Sequence, residues 1–363
     1  MAYRLSELSL GSLPSLIPDE AGAASDDDRS SSGVPPGAAI DTANASQRWS
    51  LRRREIAEVW ARYLGHMPER VDADVRIESR TREADHVRIH LSYATGYGDR
   101  VTAYLLVPGD DERPQGRFPV VMALHPTHAA GKADVASPAA RKNRAYGLEL
   151  VSRGYVVLAP DTITAGERIL EGEEAFRTAS FYRKFPQSTA IGKMLHDHQQ
   201  GLDVLASLAF VDAERIGAIG HSLGAYNAVI LAGWDRRVKA VVSSCGLSPF
   251  AGDPDPNRWG LRDWFTHLPR ISDDLARGEV PFEFHEIAAL CAPTPMFQWS
   301  GQNDPIFPHW PNIAEALREI GRLYDMLGAG DRYVGLMGYA GHDFPREIRL
   351  AAYRFLDQWL RDD

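Results

Sequence analysis

Apolar residues change rhythm twice along this chain. Across residues 51–64, Ile56, Val59, Trp60 and Leu64 recur at helical spacing. The rhythm then turns to alternation: Val75, Ile77, Val87, Ile89, Leu91, Val101, Ala103 and Leu105 are separated by other residues, which predicts antiparallel, half-buried strands ending at Pro108-Gly109. Beyond that point continuous apolar runs take over, at 118–124, 155–159, 215–220, 238–244, 295–299 and 333–337. Runs without polar interruption fit parallel strands covered on both faces. Helical segments lie between and after them, at about 141–153, 189–208, 223–233, 313–327 and 346–360. Strands alternating with helices imply right-handed crossovers and a mostly parallel, doubly wound α/β sheet, here preceded by antiparallel strands.

Two stretches depart from this rhythm. Residues 1–47 are rich in Ser, Gly, Ala, Pro and Asp, with an Asp26-Asp27-Asp28-Arg29-Ser30-Ser31-Ser32-Gly33 segment too poor in apolar residues to offset its ordering entropy. They are expected to form a disordered tail, in which residues 5–17 are the one piece with enough apolar character to dock. Residues 246–284 interrupt the strand–helix alternation with Pro249, Phe250, Trp259, Trp264, Phe265 and His267 among many Asp and Pro. A connection this long inside a compact domain is usually functional or a lid. The expected organisation is one catalytic domain over 48–363 carrying a helical cap insertion.

Composition narrows the class. The chain has 363 residues, 44% hydrophobic and 25% charged, which excludes a fully disordered, collagen-like or coiled-coil protein. Its net charge of −9 provides no basic field for nucleic acid or acidic lipid, so neither is expected as a partner. No apolar run approaches the roughly 20 residues of a membrane helix. The apolar stretch 8–17 is broken by Ser, Gly and Pro and preceded only by Arg4, so a cytoplasmic protein is expected. Cys245 and Cys291 are too few for a disulfide scaffold or a Cys-rich zinc site. They also fall at opposite ends of neighbouring parallel strands, beyond the roughly 7 Å Cα separation a bridge tolerates, and read as free thiols.

The chemistry gathers at strand ends. Gly220-His221-Ser222-Leu223-Gly224 follows one apolar run and opens a helical segment, the setting of a G-x-S-x-G nucleophile elbow. Side chains two positions either side of the serine would collide on so tight a turn, hence the glycines. A serine hydroxyl needs a base to take its proton. On such a sheet an acid and then a histidine are expected downstream. Asp304, in Ser300-Gly301-Gln302-Asn303-Asp304-Pro305, and His342, in Tyr339-Ala340-Gly341-His342-Asp343, leave later strands at the same carboxyl end as Ser222. Ser222, Asp304 and His342 are therefore the candidate nucleophile, orienting acid and base. Asp161 and Asp343 compete for the acid, and Asp343 fits better as a cap of the last helix.

An oxyanion hole needs backbone N–H groups aimed at developing charge. Leu223, after the nucleophile, is one candidate. In the loop His125-Pro126-Thr127-His128, Pro126 has no N–H, so Thr127 is the other. His125 and His128 read as loop-ordering groups. Trp259, Trp264 and Phe265 are candidate substrate-binding residues, or else the small core of the insertion. His196-Asp197-His198 places its histidines two apart on a helix, on different faces, so no metal site is expected there or elsewhere.

These motifs resemble the α/β-hydrolase superfamily. Leu124-His125-Pro126-Thr127-His128 and Leu158-Ala159-Pro160-Asp161 are similar to its dienelactone-hydrolase and acetyl-xylan-esterase branch, and the preceding strands to prolyl-oligopeptidase-like enzymes. The resemblance covers residues 48–363. It implies an α/β-hydrolase fold and a serine hydrolase without cofactor, cleaving a small-molecule carboxylic ester through an acyl-enzyme. Dienelactone hydrolases proper use a cysteine where this chain has Ser222, and no propeller of the peptidase kind fits in the length. Amide, peptide or C–C bond hydrolysis, and acyl transfer or lactone formation, remain open on the same triad. Acyl group, alcohol and oligomeric state are not legible.

Overall fold

The computed structural model describes residues 2–17, 42–109 and 116–361. Eleven strands lie in chain order: β1 (Tyr3–Arg4), β2 (Arg76–Arg82), β3 (His86–Ala94), β4 (Arg100–Pro108), β5 (Phe118–Leu124), β6 (Val156–Pro160), β7 (Val211–His221), β8 (Val238–Ser244), β9 (Glu279–Val280), β10 (Met296–Gly301) and β11 (Tyr333–Gly338). β1 and β9 pair as a short antiparallel ribbon, and the others form one nine-stranded sheet in the order β11-β10-β8-β7-β5-β6-β4-β3-β2. β2, β3, β4 and β6 are joined antiparallel, while β6, β5, β7, β8, β10 and β11 run parallel. This is the mostly parallel α/β sheet with antiparallel leading strands that the rhythm of the chain predicts, and the α/β-hydrolase fold that the family resemblance implies.

Continuous apolar runs make sense once both faces are covered. In β5, Val120, Met122 and Leu124 enter one hydrophobic core, and Val121 and Ala123 enter the other. Helices Thr42–Leu64, Ala190–Ser207, Leu223–Trp234 and Trp310–Met326 fill the first side; Tyr146–Val151 and Arg346–Leu360 fill the second. β3 and β4 are partly buried as expected, but β2 is exposed along its whole length, with Ile77 half exposed. An edge strand has a neighbour on one side only.

The disordered tail expected over 1–47 does not hold where the structure describes that stretch; 18–41 lies outside the described residues. The first helix begins at Thr42, because Ala45 and Trp49 extend the helical period of Ile56 and Trp60 back by two turns. Residues 2–17 lie against the insertion and the helix after it. Leu8, Leu16 and Ile17 are buried, Tyr3 Oη donates to Glu286 Oε1 at 2.7 Å, and His285 Nε2 donates to the Pro14 carbonyl at 2.8 Å. A segment too polar to form a core of its own is ordered by surface supplied nearly three hundred residues later.

The insertion between β8 and β10 is less helical than expected. It holds a single 3-10 turn, Pro256–Trp259, and the helices Arg270–Ala276 and Phe284–Ala289, joined by irregular chain. Phe250, Trp259, Phe265, Phe282 and Phe284 are buried within it. Both cysteines are free and buried.

Candidate active site

β7 runs straight into Ser222, which takes φ 54 and ψ −118, and the helix Leu223–Trp234 follows at once. Positive φ at a non-glycine residue is strained and persists only where neighbours enforce it. Here they do. The Ser222 N–H donates to the Ser244 carbonyl at 2.8 Å. A Cβ on Gly220 would sit 2.1 Å from the backbone of Gly224, and one on Gly224 would sit 1.9 Å from the Leu124 carbonyl oxygen. The glycines thus let β5, β7 and the helix close on the serine. Leu223 opens that helix, where the first N–H groups have no intrahelical acceptor and the macrodipole is positive.

Asp304 and His342 come together from the loops after β10 and β11. His342 Nδ1 donates to Asp304 Oδ2 at 2.6 Å, which leaves Nε2 directed elsewhere. Asp304 Oδ1 accepts the N–H groups of Ile306 at 2.8 Å and Phe307 at 3.0 Å, so the carboxylate is locked by its own turn. Burial pushes this carboxyl up, but the His342 hydrogen bond and charge, with the two N–H groups, outweigh it and hold it below the usual carboxylate range. His342 packs against His221 at 4.8 Å and Phe307 at 5.6 Å between ring centres. His221 is itself buried, which drives its imidazole far below the ordinary value; it stays neutral, with Nδ1 and Ser244 Oγ 3.0 Å apart.

The competing acids have other partners. Asp161 accepts Lys132 Nζ at 2.6 Å, the Lys132 N–H at 2.7 Å and Thr102 Oγ1 at 2.7 Å. Asp343 does not cap the last helix, whose N-cap is Pro345 without a side-chain bond. Instead it receives Arg144 Nη1 and Asn143 Nδ2, each at 2.7 Å, and so anchors the His342 loop. His125 is a loop-ordering group: its Nδ1 donates to the Pro126 carbonyl at 2.8 Å and its Nε2 accepts the Thr162 N–H at 3.0 Å. His196-Asp197-His198 is absorbed in packing, with Asp197 receiving Lys193 at 2.6 Å and Arg168 at 2.9 Å. Among the described residues, Cys245, Asp304 and His342 have ligand atoms within 4.8 Å of one another. Burial pushes the Cys245 thiol up to about 12, a poor start for a metal ligand.

A cavity of about 560 Å³ opens over Ser222 and His342. Thr127 lines it from the β5 loop, and Trp259, Trp264 and Phe265 line it from the insertion, so every expected oxyanion and substrate-binding side chain borders one space except the buried Leu223, whose candidate group is its N–H. Trp259 and Phe265 are buried as well, so they belong to the insertion's own core while also bordering this space. Sequence reasoning missed Tyr226, His267 and the arginines of the wall. Tyr226 stands one helical turn after Ser222, a spacing that could have flagged it. Arg141, Arg144 and Arg258 spend their charge on Asp134, Asp343 and Asp253, while Arg262 lies over the Trp264 ring at 5.0 Å.

A family model described as the dienelactone hydrolase family matches residues 139–325, just over half of the chain. The chain belongs to the dienelactone hydrolase family. Like the serine in this elbow, the match falls within the parallel half of the sheet, and it makes the protein a hydrolase. This family member is 29% identical over 317 residues to YtaP of Bacillus subtilis (strain 168), spanning 85% of this chain and all of that one. Its fold is similar to a glucuronoyl esterase from Solibacter usitatus, with a TM-score of 0.67 at 17% identity, covering 98% of this chain and 99% of the other. Acetyl xylan esterase 1 from Thermoanaerobacterium sp. JW/SL YS485 superposes with a TM-score of 0.56 at 17% identity, over 85% and 94% of the two chains. Among the described residues no helix is long and apolar enough to cross a membrane.

Proposed function

We propose that this family member is a cytoplasmic serine esterase that cleaves small-molecule carboxylic esters through an acyl-enzyme. Ser222 attacks the acyl carbonyl. His342 Nε2 takes the serine proton and returns it to the leaving alcohol. Asp304 holds the imidazole with Nδ1 protonated and stabilises the imidazolium that forms. The N–H groups of Leu223 and Thr127 receive the oxyanion, the former at the positive end of its helix. Water, deprotonated by His342, then releases the acid and restores Ser222.

The observation that carries this reading is the 2.6 Å bond between His342 and Asp304, with His342 lining one cavity together with a serine at φ 54. Two relatives of the same fold are named as esterases of glucuronoyl and acetyl-xylan substrates, which favours an ester over an amide. The test is labelling of the purified protein with a fluorophosphonate, followed by mass spectrometry of the adduct. A modified Ser222, lost in His342→Ala, is expected. A folded protein that takes up no label, or takes it elsewhere, overturns the reading.

A further inference from the structure

The cavity wall contains a hydrogen-bonded pair that the triad does not use. Tyr226 Oη lies 2.7 Å from His267 Nε2, and the two residues are 9% and 6% exposed. Both line the cavity, Tyr226 from the nucleophile helix and His267 from the insertion. Tyr226 lies in the first turn of the helix that starts just after Ser222, its N–H donating to the Ser222 carbonyl at 3.2 Å. Trp259 packs on both rings, at 5.0 Å and 5.5 Å, and Phe265 packs on His267 at 4.1 Å. The pair is therefore rigid and almost dry.

Its protons can be assigned. Burial drives the His267 imidazole down to about 3, so it is neutral, and lifts the Tyr226 phenol far above its ordinary range, so it keeps its proton. His267 Nδ1 is buried near the backbone of Phe265 and makes no hydrogen bond of its own. A proton on Nδ1 leaves Nε2 as the acceptor, and the phenol O–H donates to it. The hydrogen-bonding capacity left to the pair is then the lone pairs of the phenol oxygen. Arg262 is the charge that acts on both rings, but its Nη1 donates to the Arg258 carbonyl and its guanidinium lies over Trp264.

We propose that Tyr226, oriented by His267, is the acceptor through which the pocket selects esters bearing a hydroxyl group over matched esters that lack one. The proposal rests on the ester-cleaving reading above. A ligand seated against the phenol oxygen without bringing a donor leaves a buried acceptor unpaired, and discrimination arises from that cost. Selection is by rejection of the plain ester as much as by attraction of the hydroxylated one.

The experiment compares kcat/KM within two pairs: 4-nitrophenyl propanoate against 4-nitrophenyl 3-hydroxypropanoate, and ethyl acetate against 2-hydroxyethyl acetate. The first pair places the hydroxyl on the acyl side, the second on the alcohol side. The wild type is expected to favour the hydroxylated member of one pair by about 10- to 100-fold more than Tyr226→Phe does. That variant keeps the ring and its packing but removes the acceptor, so it is expected to raise kcat/KM for the plain member of that pair and to lower it for the hydroxylated member. His267→Asn is expected to erode the same preference with Tyr226 in place. A purely structural role would lower both members of a pair together, and that outcome, an unchanged ratio in Tyr226→Phe, or no turnover of the hydroxylated members overturns the proposal. Fluorophosphonate labelling of the same preparations separates the two levels. Label on Ser222 with no hydroxyl preference sinks the selection and leaves the esterase, whereas an unlabelled serine sinks both.

Discussion

The two walls of the cavity are built by different means. The wall that holds Ser222 and His342, the latter bonded to Asp304, is made of loops that each leave a parallel strand within a few residues; Ser222 and Asp304 are fixed by backbone contacts at their own positions, and the His342 loop is anchored through Asp343. The wall contributed by residues 245–295 has little regular structure and is held by side chains: rings against rings, Arg258 on Asp253, Tyr226 on His267. Backbone-fixed geometry tolerates few substitutions but holds reacting atoms in place. Side-chain-fixed geometry can be rebuilt residue by residue without disturbing the sheet. Under the proposed mechanism reaction and selectivity are separable, and substitutions on the two walls should have different kinetic signatures.

The strongest break is on the sheet side. Ser222→Ala is expected to abolish turnover, with losses on the order of 10⁵- to 10⁶-fold in kcat. Asp304→Asn is expected to cost about 10⁴-fold, because an amide no longer favours the productive tautomer of His342. Asp161→Asn is the control. Its carboxylate neutralises the buried Lys132, so the variant should lose thermal stability while kcat of the remaining folded enzyme stays close to wild type. Steady-state kinetics and melting curves on the three variants test the acid assignment; a greater kcat loss in Asp161→Asn than in Asp304→Asn would overturn it.

A smaller effect, of the opposite kind, is expected on the insertion side. Trp264 is half buried, lines the cavity and lies beneath Arg262. Trp264→Ala should raise KM by roughly tenfold for esters large enough to reach it, a loss of about 1–2 kcal/mol of apolar contact. For an acetate ester of a small alcohol, kcat should stay within a fewfold of wild type. An equal loss of kcat on small and large esters would mean that the insertion positions the triad and that the two walls are not separable.

The same contrast explains what was legible before the structure was known. Each residue of the proposed triad follows a continuous apolar run, so strand ends could be located, and the elbow glycines follow from collisions within four residues of chain. The insertion offers no such local signal. Tyr226 meets His267 across 41 residues, Arg52 meets Glu286 across 234 and Pro14 meets His285 across 271. Composition placed residues 2–17 in a disordered tail, with 5–17 as the one piece able to dock, because it counts the apolar residues of a segment and not the surface available to them. Leu16 and Ile17 are buried against groups no local window contains. Asp343 was misassigned for the same reason: a helix cap is a local inference, while its partners Arg144 and Asn143 lie some two hundred residues earlier.

The smallest expected effect comes from acid, and it also sorts by region. Burial drives His267 in the insertion wall, and His198 in the helix Ala190–Ser207 under the sheet, down to about 3. In an unfolded chain both would titrate near 6.5. Between those values the unfolded state binds protons that the folded state refuses. Their neutrality therefore costs nothing above pH 6.5, and stability falls as pH drops from about 6.5 towards 3. Each histidine adds at most about 1.4 kcal/mol per pH unit to that slope. Asp304 works with the opposite span: its carboxyl, held low by His342 and its turn, contributes stability above the usual carboxylate range and loses it only as pH falls through its lowered value. Mild acid, near pH 5, should weaken the histidine sites while leaving the Asp304 carboxylate ionised. Urea unfolding at pH 7 and pH 5 should show a lower midpoint at pH 5, and His198→Gln, if it folds, should show a smaller drop between the two. A midpoint independent of pH in the wild type would mean that both imidazoles take up protons in the folded state, and the tautomer assigned to His267 would fall with it.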